Sequence, residues 1–237
     1  MRKPALGFIF VTLVLDILGI GLIIPILPKL IEQLSGGNVS AAAHTYGWLA
    51  ALFSLMQFVC APVLGSLSDR FGRRAVILCS LFGSGLDYLL LAFAPTLPWF
   101  FLGRIISGMT AANITAANAY IADVSPPEKR AQNFGLVAAA FGLGFVAGPA
   151  LGGWLGNINL RLPFFVGAGL AMLNWLYGLL VLPESLPLDQ RRAFCWKRAN
   201  PIGSLVALRN FPVVLILTAT SFLMIRSHQT FPITGVL

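Results

Sequence analysis

Asp16, Asp87 and Arg104 each interrupt a long apolar run: VTLVLDILGIGLIIPILP, LFGSGLDYLLLAF and FLGRIISGMTAAN. A charge at the centre of a bilayer costs at least a few kcal/mol, so ionisable groups at that depth mark transport paths and proton relays. Asp16 has only glycines and aliphatics around it and must face a bundle interior or a wet cavity. It reads either as a carboxyl hydrogen-bonded to a neighbouring helix or as a group that exchanges protons with a cavity. Asp87, preceded by Gly83 and Gly85, and Arg104 fall toward the same side of the membrane and are placed to pair. That pair reads as a static salt bridge between helices or as one switched by a proton or substrate. Gln57, Asn113, Asn118 and Asn174 add softer polar groups. Each alone is typical of an interhelical hydrogen bond, and as a set they suggest a polar lumen. No nucleophile–base constellation, HExxH or phosphate-cradling loop accompanies them, which argues against an enzyme. Cys60, Cys79 and Cys195 show no metal spacing and read as reduced packing residues.

The elements that must carry these groups follow from composition. The chain has 237 residues, 57% hydrophobic and only 10% charged, with mean hydropathy +0.84. Soluble domains run near 25% charged. About 20 apolar residues span a hydrocarbon core, and the runs predict six spans at 5–27, 45–66, 75–94, 98–121, 133–156 and 162–182. A seventh run, 211–237, contains Arg226, His228 and Gln229. No cleavable signal peptide is expected, because the first run is too long and further spans follow. The sequons at Asn38 and Asn113 carry little weight, the second lying at membrane depth.

The connections orient the spans. One side carries Arg2, Lys3, Arg70, Arg73, Arg74, Lys129, Arg130, Arg191, Arg192, Lys197, Arg198 and Arg209. The other has Lys29 and Arg161 alone. This is a positive-inside pattern, placing the N-terminus in the cytoplasm. It also accounts for the net charge of +8 without a nucleic-acid partner. Trp48, Trp99 and Trp154 fall at the opposite ends of their spans, where amphipathic rings favour the interface. Residues 1–182 are therefore expected to form a six-helix bundle, 183–210 a basic cytoplasmic linker, and 211–237 an incomplete seventh helix.

Two further stretches stand out. GSLSDRFGRR (65–74) concentrates charge between spans two and three, on the basic side. In span five, GLGFVAGPALGG places Gly144, Gly148, Gly152 and Gly153 as a smooth stripe for close helix packing, with Pro149 as a kink. The density of that pattern favours a specialised, pivoting interface over a plain packing helix.

Together these stretches resemble the major facilitator superfamily. GSLSDRFGRR resembles the signature loop after its second helix, LGRIISGMTAA the fourth-helix signature, GFVAGPALGG the antiporter motif of the fifth, and LPES (182–185) the signature closing the sixth. LDILGIGLIIPILP and LDYLLLAFAP are similar to segments of the twelve-helix tetracycline/proton antiporters. The resemblance implies an all-α membrane fold whose N-terminal bundle consists of two three-helix repeats. It implies expulsion of a divalent-metal–tetracycline chelate in exchange for protons, from the inner or plasma membrane. No resident metal or cofactor is expected: Mg²⁺ travels with the substrate and the proton is the coupling ion.

Carried over by motif, Asp16, Asp87 and Arg104 match transport and proton-coupling positions. Gln57 matches a substrate-handling position, and Asn113 and Asn118 are taken with it as substrate contacts. Asp69, Arg70, Arg73 and Arg74 match the conformational-gate loop, with Asp123 placed to pair with Arg73. The family has two six-helix bundles, so a C-terminal half is an expected partner, beside the lipid bilayer. Two alternatives stay open: a facilitator for another drug or metabolite, and a non-transporting half-protein that needs a separate C-terminal half.

Overall fold

The computed structural model describes residues 6–111, 113–196, 199–207, 214–218 and 220–221, without the side chains of 113, 204 and 205. Of the expected seventh run, only 214–218, 220 and 221 are therefore described, and they are helical. Arg226, His228 and Gln229 lie outside the described residues, as do Arg2, Lys3, Lys197, Arg198 and Arg209.

The helices in chain order are α1 (Leu6–Ile23), α2 (Leu27–Leu34), α3 (Val39–Phe71), α4 (Arg73–Phe93), α5 (Leu97–Thr110), α6 (Asn113–Val124), α7 (Arg130–Ile158), α8 (Leu162–Val181) and α9 (Pro201–Ala207). They run up and down between two ends. The basic end holds the α3–α4 turn, and the opposite end holds the α4–α5 and α7–α8 turns.

Two spans depart from the single rods that hydropathy predicts. The first extends into α2 beyond a break at Ile24–Ile26, where Pro25 withdraws an N–H and biases its neighbour away from helical angles. The expected span 98–121 is two segments, α5 and α6. Near the end of α5, the Ser107 hydroxyl donates to the Gly103 carbonyl at 2.8 Å and the Thr110 hydroxyl to the Ser107 carbonyl at 3.2 Å. Such back-bonding competes with the helical ladder and bends it. As a result, five described helical stretches rather than six are individually long and apolar enough to cross a membrane.

The third departure is GSLSDRFGRR itself. It is not a loop: Gly65–Phe71 is the last stretch of α3, Arg73 opens α4, and Gly72 alone makes the break. Gly72 has φ +103°, a region that residues with a Cβ rarely enter.

In cross-section the neighbours follow the order α7, α1, α8, α4, α5, α3. The α1–α7 contact is backbone to backbone. A Cβ added to Gly148 would lie 2.6 Å from the Gly21 Cα, and one on Gly144 would press Ile17. Gly152 meets Leu22 in the same way. Gly153, by contrast, faces open space, and Gly156 continues the stripe against Ile26. Residues four apart stay on one helix face, whereas Gly153 is turned about 100° from Gly152.

The apolar interior forms two clusters. Ile9, Leu13, Ile77 and Tyr120 belong to the one nearer the basic end, and Leu22, Leu91, Phe100 and Phe164 to the other. Buried polar side chains are interspersed along the same helices: Thr12, Asp16, Ser80, Asp87 and Asn174.

Candidate functional site

At the basic end, α3, α4 and α6 converge on Arg73. Its guanidinium donates to Asp69 Oδ1 at 2.5 Å, to Ser68 Oγ at 3.1 Å and to Asp123 Oδ2 at 3.1 Å. Asp69 and Ser68 are held one helical turn away at the end of α3, and Asp123 is brought up by α6. The side chain of Arg73 is 10% exposed, against 37% for Asp69 and 23% for Asp123. Arg74 reaches the Leu179 carbonyl of α8, and Arg70 lies over the Phe71 ring.

Sequence reasoning left Glu184 and Ser185 out of this cluster. Glu184 Oε1 accepts the backbone N–H of Arg73 at 2.9 Å, and those of Ser185 and Leu186. It therefore caps the first turn of α4, where backbone donors are unsatisfied and negative charge is favoured. Its other oxygen faces Arg191 at 3.7 Å, and Ser185 donates to Asp123. The linker is tied back further by the Arg192 N–H, which donates to the Asp69 carbonyl at 3.0 Å. The one available signal was LPES itself, whose carboxylate follows directly on the end of α8.

The middle of the bundle holds a cavity of about 190 Å³. Asp16 of α1, Asp87 and Tyr88 of α4, and Arg104 of α5 all line it. Tyr46 and Phe53 of α3 supply aromatic walls, and Ser84, Ser107 and Thr110 supply hydroxyls. Arg104 lies 5.9 Å from the Phe53 ring centre, within cation–π range. Asp87 is fully buried and approaches the α5 backbone at Gly103, where a Cβ would stand 2.8 Å from its Oδ1.

Asp87 and Arg104 share this cavity without an ion pair between them. Neither oxygen of Asp87 accepts a hydrogen bond among the described residues, and Arg104 Nε is likewise without an acceptor. The expected Asp87–Arg104 pair is thus a juxtaposition in this conformation. Asn174, fully buried on α8, donates to the Thr12 carbonyl at 2.8 Å, tying α8 to α1 one turn before Asp16.

The other predicted positions fall elsewhere. Gln57 is half-buried where α3 packs on α5, its backbone nitrogen 3.3 Å from where a Gly108 Cβ would lie, and it does not line the cavity. Asn118 is half-buried on α6 and also absent from the lining. The side chain of Asn113 lies outside those described. Tyr46, Ser84, Tyr88, Ser107 and Thr110 line the cavity without having been singled out, because hydroxyls in apolar helices usually bond their own backbone.

A helical bundle with ionisable side chains lining a partly open, largely apolar cavity and a charged clamp at one end has the architecture of a membrane carrier. The family profile of the Major Facilitator Superfamily matches residues 9–235. The chain belongs to that transporter family. It is 46% identical over 220 residues to the class C tetracycline resistance protein of Escherichia coli, covering 93% of this chain and 55% of that protein. It is 47% identical over 162 residues to the class B protein of Escherichia coli, covering 68% and 40%. Multidrug resistance protein 2 of Bacillus subtilis (strain 168) is 35% identical over 177 residues, covering 73% and 42%. The crystal structure of the human organic anion transporter MFSD10 (TETRAN) superposes with a TM-score of 0.70 at 28% identity, over 80% of this chain and 50% of that one. The chain thus spans about half the length of the relatives it matches.

Proposed function

We propose that this chain forms the N-terminal six-helix bundle of a proton-coupled exporter of tetracycline, carried as its divalent-metal chelate, and that it works against a second six-helix bundle. The similarity to tetracycline resistance proteins of several classes supports the substrate. The observation that carries the coupling is the cavity in which Asp87 has no hydrogen-bond donor committed to it. A carboxyl in that position keeps its charge state open to whatever enters the cavity. Asp16 and Arg104 share the space, so a proton and a cationic chelate can compete for the same negative charge.

The clamp of Asp69, Arg73 and Asp123 serves as the gate in this reading. It joins the ends of α3, α4 and α6, and rocking of one bundle on the other opens it as access alternates between sides. The glycine contact between α1 and α7 is the surface on which the helices re-pack. The cation distribution supports an N-terminus in the cytoplasm, and such an exporter resides in the inner membrane. A broader drug range is a second reading, favoured by the aromatic walls Tyr46, Phe53 and Tyr88 and by the similarity to a multidrug resistance protein.

Everted vesicles test the proposal. They are prepared from cells producing this chain alone, and from cells producing it with the C-terminal half of the class C protein. Tetracycline uptake that requires Mg²⁺ and an imposed proton gradient, and that a protonophore abolishes, is expected in at least the paired vesicles. Uptake that survives collapse of the gradient would refute proton coupling. Absence of tetracycline uptake in both preparations, with ethidium taken up instead, would replace the first substrate reading with the second.

A further inference from the structure

We propose that Tyr88 is a positioning residue for the two cavity carboxyls, its hydroxyl reaching from α4 to α1 to act on Asp16 while its neighbour Asp87 faces α5. The ring is 8% exposed and occupies a slot made by glycines on two other helices. A Cβ on Gly19 of α1 would stand 3.4 Å from the ring and 3.6 Å from the hydroxyl oxygen, and a Cβ on Gly167 of α8 would also stand 3.4 Å from the ring. The slot is filled to van der Waals contact, so the ring has one place to be and the hydroxyl end is directed at α1. Gly19 lies three residues after Asp16, which puts both on neighbouring positions of one helix face. The same side chain lines the cavity with Asp16, Asp87 and Arg104.

The charged and titratable groups facing this position are Asp16 from α1, Tyr46 from α3, Asp87 on α4 itself and Arg104 from α5. α8, which meets the ring at Gly167, contributes no titratable side chain to the cavity lining among the described residues. A phenol that follows one carboxyl on α4 and reaches the helix that carries the other can donate to the second, and a change at the first reaches it through their shared helix. A structural role alone needs only the ring.

The test separates ring from hydroxyl with Tyr88→Phe, in the full chain reconstituted in liposomes. The readout is the rate at which a hydrophobic carbodiimide modifies Asp16 and Asp87 at fixed pH, followed by peptide mass spectrometry. A change of at least threefold at either carboxyl, with the thermal midpoint of the bundle retained, is expected. Unchanged rates at both would reduce Tyr88 to a slot filler and overturn the proposal. Should Tyr88→Phe fail to assemble, 3,5-difluorotyrosine at position 88 alters the hydroxyl with little change of shape, and the same threefold criterion applies. Only the transport arm rests on the export reading: a shifted pH profile of proton-driven tetracycline uptake in Tyr88→Phe is expected there. If the wild type moves no tetracycline while labelling still depends on the hydroxyl, the export reading fails and the positioning role stands.

Discussion

Arg73 donates to side-chain oxygens of Ser68, Asp69 and Asp123, whereas neither oxygen of the more deeply buried Asp87 accepts a hydrogen bond among the described residues. Both sites sit on α4, near its first residue and near its middle. At the basic end the Arg73 guanidinium meets Asp69 and Asp123 and its backbone N–H meets the Glu184 carboxylate, although Arg74 Nε and Arg191 Nε there have no partner among the described residues. In the cavity, two carboxyls and a guanidinium share one space, and Asp87 stays without a hydrogen-bonded partner in it. A matched cluster stabilises one arrangement, because breaking it strands charged groups. An unmatched buried charge stabilises nothing and is retained where a ligand or proton will complete it. In the proposed export reading, the contrast puts holding at one end of α4 and exchange near its middle.

The largest expected effect lies in the cavity. Asp87→Asn should lower proton-driven uptake at least tenfold, about 1.4 kcal/mol in the barrier, with the thermal midpoint in detergent within about 2 °C of wild type. A midpoint that instead falls by more than that would show that the carboxyl has a structural partner, and the contrast would collapse.

Arg73→Ala should do the reverse. Loss of the common donor is expected to cost about 1–3 kcal/mol, moderated because Asp69 and Asp123 retain access to water. At about 2–4 °C per kcal/mol for a chain of this size, thermal denaturation will resolve it. A midpoint equal to wild type would mean that the clamp holds nothing.

Glu184→Gln is the smallest and sharpens the same side. The amide oxygen still accepts the backbone N–H groups, and what is lost is the charge at the start of α4, about 0.3–1 kcal/mol, with its attraction to Arg191. Its effect should shrink in high salt, since the carboxylate is partly exposed. A salt-independent loss would point to altered geometry instead of charge.

Much of this was legible before folding because it is local. Hydropathy over about 20 residues located the crossings, and the isolated charges at 16, 87 and 104 announced a cavity because lipid would reject them. Pro25 and the Ser107 and Thr110 hydroxyls broke two spans that an average over a window blurs into rods. The glycine stripe was read as 144, 148, 152 and 153, and contact with the first span replaced its last member by 156, which meets Ile26 in the break after α1. Gln57 and Asn118, polar on apolar helices, turned out to lie off the cavity, each one turn beyond a lining residue of its own helix, Phe53 and Ile114, because polarity does not report how deep a cavity reaches.

The sequence by itself determined the membrane class, most of the spans and the basic end, and motif resemblance pointed to Arg73 and Asp123 as a pair, which the structure joins at 3.1 Å. Only the tertiary structure decided what lies across from each group. Glu184 reaches the Arg73 N–H over 111 positions of chain, and Asn174 reaches the Thr12 carbonyl over 162. It alone set Asp87 beside Arg104 without joining them, and slid the Tyr88 ring between Gly19 and Gly167. Such contacts depend on the rotation and separation of packed helices, which side-chain shape fixes at close range and no pattern along one helix encodes.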